Sequence, residues 1–464
     1  YAVTDTYTMF AASLHGTLWQ QDQLSIVGGR PLQALFNDVA FGQLHSYQEL
    51  RVLSIVAILG IVLLAWVLLQ TLLFAGISRI PATIIPVLIC VAPAFQVYAA
   101  WTVCAYYPYT AAVAGIALVA VEQGYRASSL MRKLALSAIG LVLLLLALLA
   151  YQPDAMMYWV FAAIFILTGY ADLRAIWTRF AHYSVIAVAG FIGSYIAIKI
   201  GQSIVGSGVP TRSSLATDPF AKLQWFIGRI MLDALNLYNV NPALKVALAV
   251  AVLAGIGTVL YMDGSWQEKA SKGAIAILLA PLCYLPNLLV AEYSPSYRSE
   301  VAITALVILY LSFGLVSLYK LYIPAATVSA YGVMLALALA GGISAARNVT
   351  VDFAYPQNQE LELMRSQLSS PRLATATSVY LIPATAQDAF APDVRYDEYG
   401  IVSSSVWWSQ KPMVYLLLRE IAPSRADIPV TVAPASGPFN PPPGSLVVDM
   451  RLVKHLGNVS PGFG

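Results

Sequence analysis

Residues 53–77 read LSIVAILGIVLLAWVLLQTLLFAGI, with no charged side chain among them. About 20 consecutive apolar residues suffice to cross the hydrocarbon core of a bilayer, so this stretch is a membrane helix. Composition extends the conclusion to the whole chain. Of its 464 residues 59% are hydrophobic and 11% charged, where soluble domains carry about 25% charged residues. The net charge of +3 gives no basis for a nucleic-acid partner. Cys90, Cys104 and Cys283 lie in or beside apolar runs and read as small core residues rather than as a disulfide framework. His15, His45, His182 and His455 are scattered singly, without the pair spacing of a helical zinc site, so no metal ligand is assigned.

Outward from 53–77, apolar segments recur at 82–103, 111–121, 134–151, 159–169, 185–200, 243–261, 274–290, 301–318 and 325–343, about ten spans in all. Pro81, Pro86 and Pro93 predict a kink in the second. Lysine and arginine fall on one parity of the gaps: Arg79; Arg126, Arg132 and Lys133; Arg174 and Arg179; Lys269 and Lys272; Lys320. The positive-inside rule makes those gaps cytoplasmic. The stretch 1–50, the long gap 203–241 and the tail 346–464 then lie on the outer face, and one further span is expected ahead of Tyr1, about eleven in total. The expected fold is mainly α, with a polytopic helical membrane domain over 51–345 and a small α/β extracytoplasmic domain over 346–464. In the tail, 357–368 and 414–420 pattern as helices, and 379–382, 429–432 and 446–450 as strands.

The stretch 1–50 is too polar to span a bilayer and too apolar for a solvated tail. Tyr7, Phe10, Leu14 and Leu18 recur at helical spacing, with Trp19 beside the last; Leu32, Leu35, Phe36 and Val39 repeat the pattern after Gly28-Gly29-Arg30-Pro31. Two short helices lying at the membrane surface are predicted. Their polar residues would sit where a membrane enzyme meets a lipid-borne substrate. A carboxylate there suits a general base that takes a proton from an acceptor hydroxyl during one-step inverting transfer. Asp5 and Asp22 are the candidates. Asp5 reads equally well as a helix N-cap, Asp22 as a solvated turn residue, and Asp38 as an ion-pair partner of Arg51.

Arg30 follows two glycines that allow close backbone approach, and Pro31 can open the next helix. The guanidinium would then stand at a helix N-terminus and suit a phosphate; its other role would be snorkelling to lipid headgroups. Arg298 is the second candidate phosphate ligand. It ends the outer gap Glu292-Tyr293-Ser294-Pro295-Ser296-Tyr297-Arg298, and an ion pair with Glu292 or Glu300 is its other reading. Lys199, Arg212, Lys222 and Arg229 add positive charge on the same side, and the apolar spacing over 220–235 predicts a surface-lying or re-entrant helix.

The arrangement of an acidic first outer loop, many spans and an outer C-terminal domain resembles membrane glycosyltransferases of the C-type fold. Trp19 followed by Gly29-Arg30-Pro31-Leu32, with 44–55 leading into a span, is similar to the O-antigen glucosyltransferases of the phage serotype-conversion type. Members of that group typically carry acidic residues, often paired, ahead of the Gly-Arg motif; here the upstream acids are Asp5 and Asp22, and they are not adjacent. The resemblance implies a bacterial inner-membrane enzyme of the cell envelope. Its donor would be a sugar on a polyprenyl phosphate, and its acceptor a glycan or lipid-linked glycan, with membrane lipid as its surroundings. Arg30 and Arg298 would hold the leaving phosphate and Asp5 or Asp22 would be the base, while Trp19, Glu292 and Tyr297 would line the substrate. No cofactor follows from it, since such enzymes work with or without a divalent cation.

Two other classes compete. A lipid or glycan transporter or flippase would carry charge near the bilayer midplane, where these spans carry almost none. A non-catalytic envelope assembly factor would bind glycan through the tail, where Arg395-Tyr396-Asp397-Glu398-Tyr399-Gly400, Ser403-Ser404-Ser405 and Trp407-Trp408 offer rings and hydrogen bonds. Aromatic pairs of this kind also serve as the core of a small domain.

Overall fold

A computed structural model describes residues 3–169, 172–206, 214–235, 244–322, 327–385, 399–434 and 439–458 of the protein. Arg212 and the segment Arg395-Tyr396-Asp397-Glu398 lie outside these residues. The first stretch folds as three short helices, α1 (Asp5–Leu14), α2 (Leu18–Val27) and α3 (Pro31–Phe41), where the apolar spacing predicted two. Gly16 turns the chain with a φ of +68° and splits the first run. Nor is α1 a surface helix, since Tyr7 and Phe10 are buried.

The apolar part continues with α4 (Leu50–Phe74), α5 (Arg79–Cys90), α6 (Pro93–Ala100), α7 (Tyr107–Arg126), α8 (Leu130–Ala150), α9 (Gln152–Ala155), α10 (Met157–Thr168) and α11 (Leu173–Val205). After α12 (Pro219–Trp225) and α13 (Met231–Ala234) come α14 (Leu244–Tyr261), α15 (Trp266–Leu282), α16 (Leu285–Leu289), α17 (Val301–Tyr322) and α18 (Thr327–Arg347). Among the described residues five helical stretches are long and apolar enough to cross a membrane: Tyr47–Phe74, Thr102–Arg126, Leu130–Ala150, Leu173–Val205 and Val328–Leu368. The pair α5 and α6 makes a sixth if it is one span bent by 59°. That bend follows from Pro93, because Ala92 ahead of it is extended, as residues preceding proline prefer.

One helix differs from the rest. Every side chain of α10 from Met157 to Leu167 is buried, and a helix apolar on all sides belongs in an interior. It is the central pillar of the bundle, packed by α7, α11, α15 and α17. Charge gathers beyond its two ends. At its C-terminal end the fully buried Glu122 takes Arg126 at 2.5 Å and the Tyr183 hydroxyl at 2.5 Å, with Arg179 at 3.6 Å. Lys272 donates to the Gly169 carbonyl at 2.8 Å. The gaps that carry Arg126, Arg179 and Lys272 therefore meet at one end of the bundle, the grouping that the parity of basic residues predicted. At the other end α9 links the pillar to the first loop.

In the tail, α18 runs on through the π-helical Asn348–Ala354 into α19 (Tyr355–Leu368). β1 (Ser378–Ile382), α20 (Trp407–Ile421), β2 (Val430–Val432) and β3 (Ser445–Asp449) follow, where the patterns over 379–382, 414–420, 429–432 and 446–450 placed them. The three strands form a parallel sheet in the order β2-β1-β3, with Val379 facing Val430 on one side and Leu446 on the other. Central β1 is buried from Val379 to Ile382, as a parallel strand covered on both faces must be.

Helices α14 and α17 meet backbone to backbone. A Cβ on Gly257 would lie 2.1 Å from the Cα of Gly314, the close approach that small residues allow between membrane helices. Gly255, on the same helix, faces open space. Gly257→Ala is expected to lower the thermal midpoint in detergent, overpacking costing about 1–3 kcal/mol. Gly255→Ala should leave the midpoint unchanged or raise it. Equal midpoints for the two variants would rule out a crossing at Gly257.

Candidate functional site

The Gly28-Gly29-Arg30-Pro31 turn starts α3 as predicted, with Pro31 in the first turn and Arg30 at the N-cap position. Gly29 has a φ of +81°, and a Cβ there would meet Ile198 of α11 at 2.4 Å, so both conformation and space require glycine. Gln152, which opens α9, grips the turn with both ends of its amide. Its Nε2 donates to the Gly29 carbonyl at 2.8 Å, and its Oε1 accepts from Arg30 Nε at 3.0 Å. The Arg30 guanidinium lies 4.7 Å over the Tyr151 ring, a cation–π contact. Tyr151 in turn stacks on Tyr107 at 3.9 Å and 12°.

Arg298 arrives from the gap between α16 and α17. Its guanidinium lies 4.4 Å over the Trp101 ring. The Tyr98 hydroxyl sits between the Arg298 carbonyl, at 2.8 Å, and Asp154 Oδ1, at 2.5 Å. Asp154 is fully buried, and burial pushes its carboxyl well above the usual range, against the Tyr98 hydrogen bond and the Arg30 charge. Tyr98 also meets Tyr107 edge to face at 5.3 Å, which joins the contacts of Arg298 to the rings beneath Arg30. Two side chains from opposite ends of the apolar part thus converge on one aromatic wall, made by Trp101, Tyr107 and Tyr151.

Asp5 stands beside this wall. It is the first residue of α1, and the helix has no side-chain cap, so the N-cap reading gives way. Its Oδ1 accepts from the indole N–H of Trp408 at 2.7 Å, and its Oδ2 lies 4.0 Å from Arg298 Nη1. Its side chain is 37% exposed. The preceding Thr4 has a φ of +25°, strained for a residue with a Cβ, and its N–H donates to Ser403 Oγ at 3.1 Å. The tail segment is itself held down. Glu360 accepts from the Ser403 and Ser404 N–H groups at 2.9 and 2.6 Å, and the Tyr399 hydroxyl reaches Gln96 Oε1 at 2.8 Å. The buried Tyr297 meets Tyr399 edge-on at 5.7 Å.

The remaining predicted residues take other places. Trp19 projects from α2 and is 55% exposed. The half-buried Glu292 accepts through its carbonyl from the Lys222 ammonium. Lys222 is buried, 4.0 Å over Tyr293 and 4.7 Å over Trp225, and adds no surface charge. Burial lowers its pKa, with the Glu292 charge opposing. Arg229 pairs with Asp233 at 2.6 Å, and Lys199 donates to Gln202 at 3.2 Å. A bridge between Leu215 and Val290 clamps the outer gap to the loop that carries Arg298. Among the described residues no three His, Cys, Asp or Glu side chains gather as a metal site.

Gln152, Tyr151, Trp101 and Tyr98 were not singled out for chemistry, and Trp408 was considered only as part of a glycan-binding tail. Tyr98, Trp101 and Tyr151 stand at the ends of the apolar segments 82–103 and 134–151, where tyrosine and tryptophan are common in any membrane protein, so their position alone did not mark a site.

Asp22 is fully buried rather than solvated, and Asp38 of α3 lies beside it in place of the expected pairing with Arg51. Burial first, then Asp38, pushes the Asp22 carboxyl up to about 7, with Asn37 pulling the other way. The two acids titrate as a pair. The folded pair keeps a proton that the unfolded chain gives up near pH 4, so stability falls as pH rises from about 4 to 7 and levels off above. Asp22→Asn is expected to raise the thermal midpoint at pH 8, with the gain shrinking as pH drops toward 5. A gain that stays constant from pH 5 to 8 would show that Asp22 is ionised throughout.

No protein-family profile, curated protein or solved structure matches the chain.

Proposed function

We propose that the protein transfers a sugar from a polyprenyl-phosphate donor to a glycan or lipid-linked acceptor, with inversion, at the outer face of a bacterial plasma membrane. The observation that carries this reading is the convergence of Arg30 and Arg298 on one aromatic wall, with the Asp5 carboxylate at its edge. Arg30 uses its Nε on Gln152, and its flat face rests on Tyr151, which leaves the outer edge of the fork for phosphate oxygens. Asp5 takes the proton of the acceptor hydroxyl while that oxygen attacks the anomeric carbon. The bond from that carbon to the phosphate oxygen breaks, and its electron pair leaves on the polyprenyl phosphate between the two arginines. Inversion requires the base and the leaving phosphate on opposite sides of the sugar ring. The arginines would stabilise charge as it develops on the leaving group.

The same proposal sets the orientation. It takes about ten spans over 51–345, with the shorter and broken helices crossing alongside the long ones. In this orientation the tail shares the outer face with the first loop, a pairing that the bond from Trp408 to Asp5 supports. Cysteines at Ser203 and Ser369, both exposed, are expected to react with a membrane-impermeant maleimide in intact cells. One at Ser128, exposed at the opposite end, should react only after lysis. Labelling at Ser128 with protection at Ser369 would invert the topology and remove the outer-face site.

For the chemistry, Arg30→Ala and Arg298→Ala should each cut transfer from a polyprenyl-phosphate sugar by about tenfold or more, given roughly 1.5–3 kcal/mol for a hydrogen bond to a charged group. Asp5→Asn keeps the shape and the bond to Trp408 but loses basicity, and should cut transfer by about 10² or more. Parental rates in all three, in membranes where folding is unchanged, would defeat the proposal.

A further inference from the structure

We infer that Trp407 and Trp408 form the stacking platform for a sugar ring of the acceptor, so that the tail domain supplies the acceptor subsite beside Asp5. The inference rests on the transferase reading for the word acceptor; the glycan site itself stands on its own geometry. Trp407 is 77% exposed and Trp408 41% exposed, and their rings meet edge to face at 5.6 Å and 89°. They are not the core of the small domain, the role aromatic pairs usually take. That core is built further along α20, where Met413, Val414, Leu417 and Leu418 are fully buried.

Nor does the pair belong to an apolar belt on its own helix. The other exposed positions of α20 are Lys411, Arg419 and Glu420. The first-loop helices show what a lipid-facing surface looks like in this protein, with Trp19, Leu24, Leu35 and Val39 all exposed. The polar groups nearest the two indoles are Lys411, one turn on, and Asp5 and Thr8 of α1, the setting in which an aromatic face meets a ligand with both C–H and hydroxyl surfaces. A pyranose ring is such a ligand.

Position fixes which sugar. The Trp408 indole N–H donates to Asp5 Oδ1 at 2.7 Å, and the Trp408 carbonyl accepts from Thr8 Oγ1 at 2.9 Å. The platform is thereby tied at two points to α1, and its rings lie on the carboxylate side of the site. The donor phosphate sits with Arg30 and Arg298 over Tyr151 and Trp101. A sugar on the indoles is next to the base, as an acceptor must be, and the exposed ring of Trp407 extends the surface away from it toward further residues of a glycan chain. Trp408 has a second role as a positioning residue, since its N–H orients Asp5.

Three measurements test this. Saturation-transfer NMR with maltohexaose, chitohexaose and isomaltohexaose should show transfer to ring C–H protons for at least one of them, lost in Trp407→Ala and kept in Trp407→Phe. In transfer assays, Trp407→Ala should raise the acceptor KM about tenfold, the ratio that 1.4 kcal/mol corresponds to, with the donor KM unchanged. In nanodiscs, the fluorescence difference between the parent and Trp407→Phe should not respond to brominated lipid. No saturation transfer with any of the three sugars, an unchanged acceptor KM, or quenching of Trp407 by brominated lipid would overturn the platform; the last would make the residue an interfacial anchor. If the parent transfers no sugar but Trp407-dependent saturation persists, the glycan site stands and the transferase reading falls. Transfer with an unchanged acceptor KM leaves the transferase and removes the platform.

Discussion

The amide of Gln152 holds two adjacent residues of another loop at once, one by its backbone and one by its side chain. One end takes the Gly29 carbonyl and the other takes Arg30 Nε. Because Gln152 sits at the N-terminal end of the buried pillar α10, the arginine inherits the position of a fully enclosed helix. The turn could not reach Gln152 without Gly29, whose backbone conformation and closeness to Ile198 exclude a side chain. Two hydrogen bonds, each with a net worth of about 1 kcal/mol or somewhat more when a charge is involved, thus fix the geometry of a guanidinium that would otherwise sample a wide arc. The Tyr151 ring beneath it removes what freedom is left.

The aromatic wall explains how two like charges are brought to one place. A guanidinium lying over a ring is attracted by the negative face of the ring and keeps its hydrogen-bonding edge. Trp101 takes Arg298 and Tyr151 takes Arg30, so each cation lies over the face of a ring in the wall. Asp5 stays at 4.0 Å from Arg298, the outer limit of an ion pair. Its nearer partner is the neutral indole of Trp408. A carboxylate held in this way keeps a proton-accepting oxygen while its orientation is set.

Periodicity made the helices and strands legible, since long apolar runs and alternating β-branched residues leave few alternatives. The kink ahead of Pro93 and the start of α3 at Pro31 were legible for the same reason: proline restricts its neighbour whatever the surroundings. Three features were not. The split of the first run at Gly16 depends on a single left-handed turn, which spacing alone does not reveal. The burial of α1 and of Asp22 depends on what covers them, and the covering elements lie in the tail and in α3. The site was half legible. Arg30, Arg298 and Asp5 carry charge and so stand out in an apolar chain, whereas Gln152, Tyr151 and Trp101 are uncharged residues in or at the ends of apolar segments. Their role arises from contacts between segments far apart in the chain, and local sequence does not encode such contacts.

The helix that runs from Val328 to Leu368 contains 41 residues. At about 1.5 Å per residue it is about 60 Å long, roughly twice the hydrocarbon thickness of a bilayer. The sheet and α20 are therefore mounted on a stiff mast, and their azimuth about its axis is set by the number of residues in it. Each residue added or removed turns everything beyond it by about 100°. The meeting of Trp408 with Asp5 is consequently a matter of phase as well as of chemistry. Substitutions along the mast's exposed face leave that phase untouched, whereas a change of length by one residue, with no site residue altered, swings the tail out of register with the first loop. Over this stretch evolution is far freer to change side chains than to change their number.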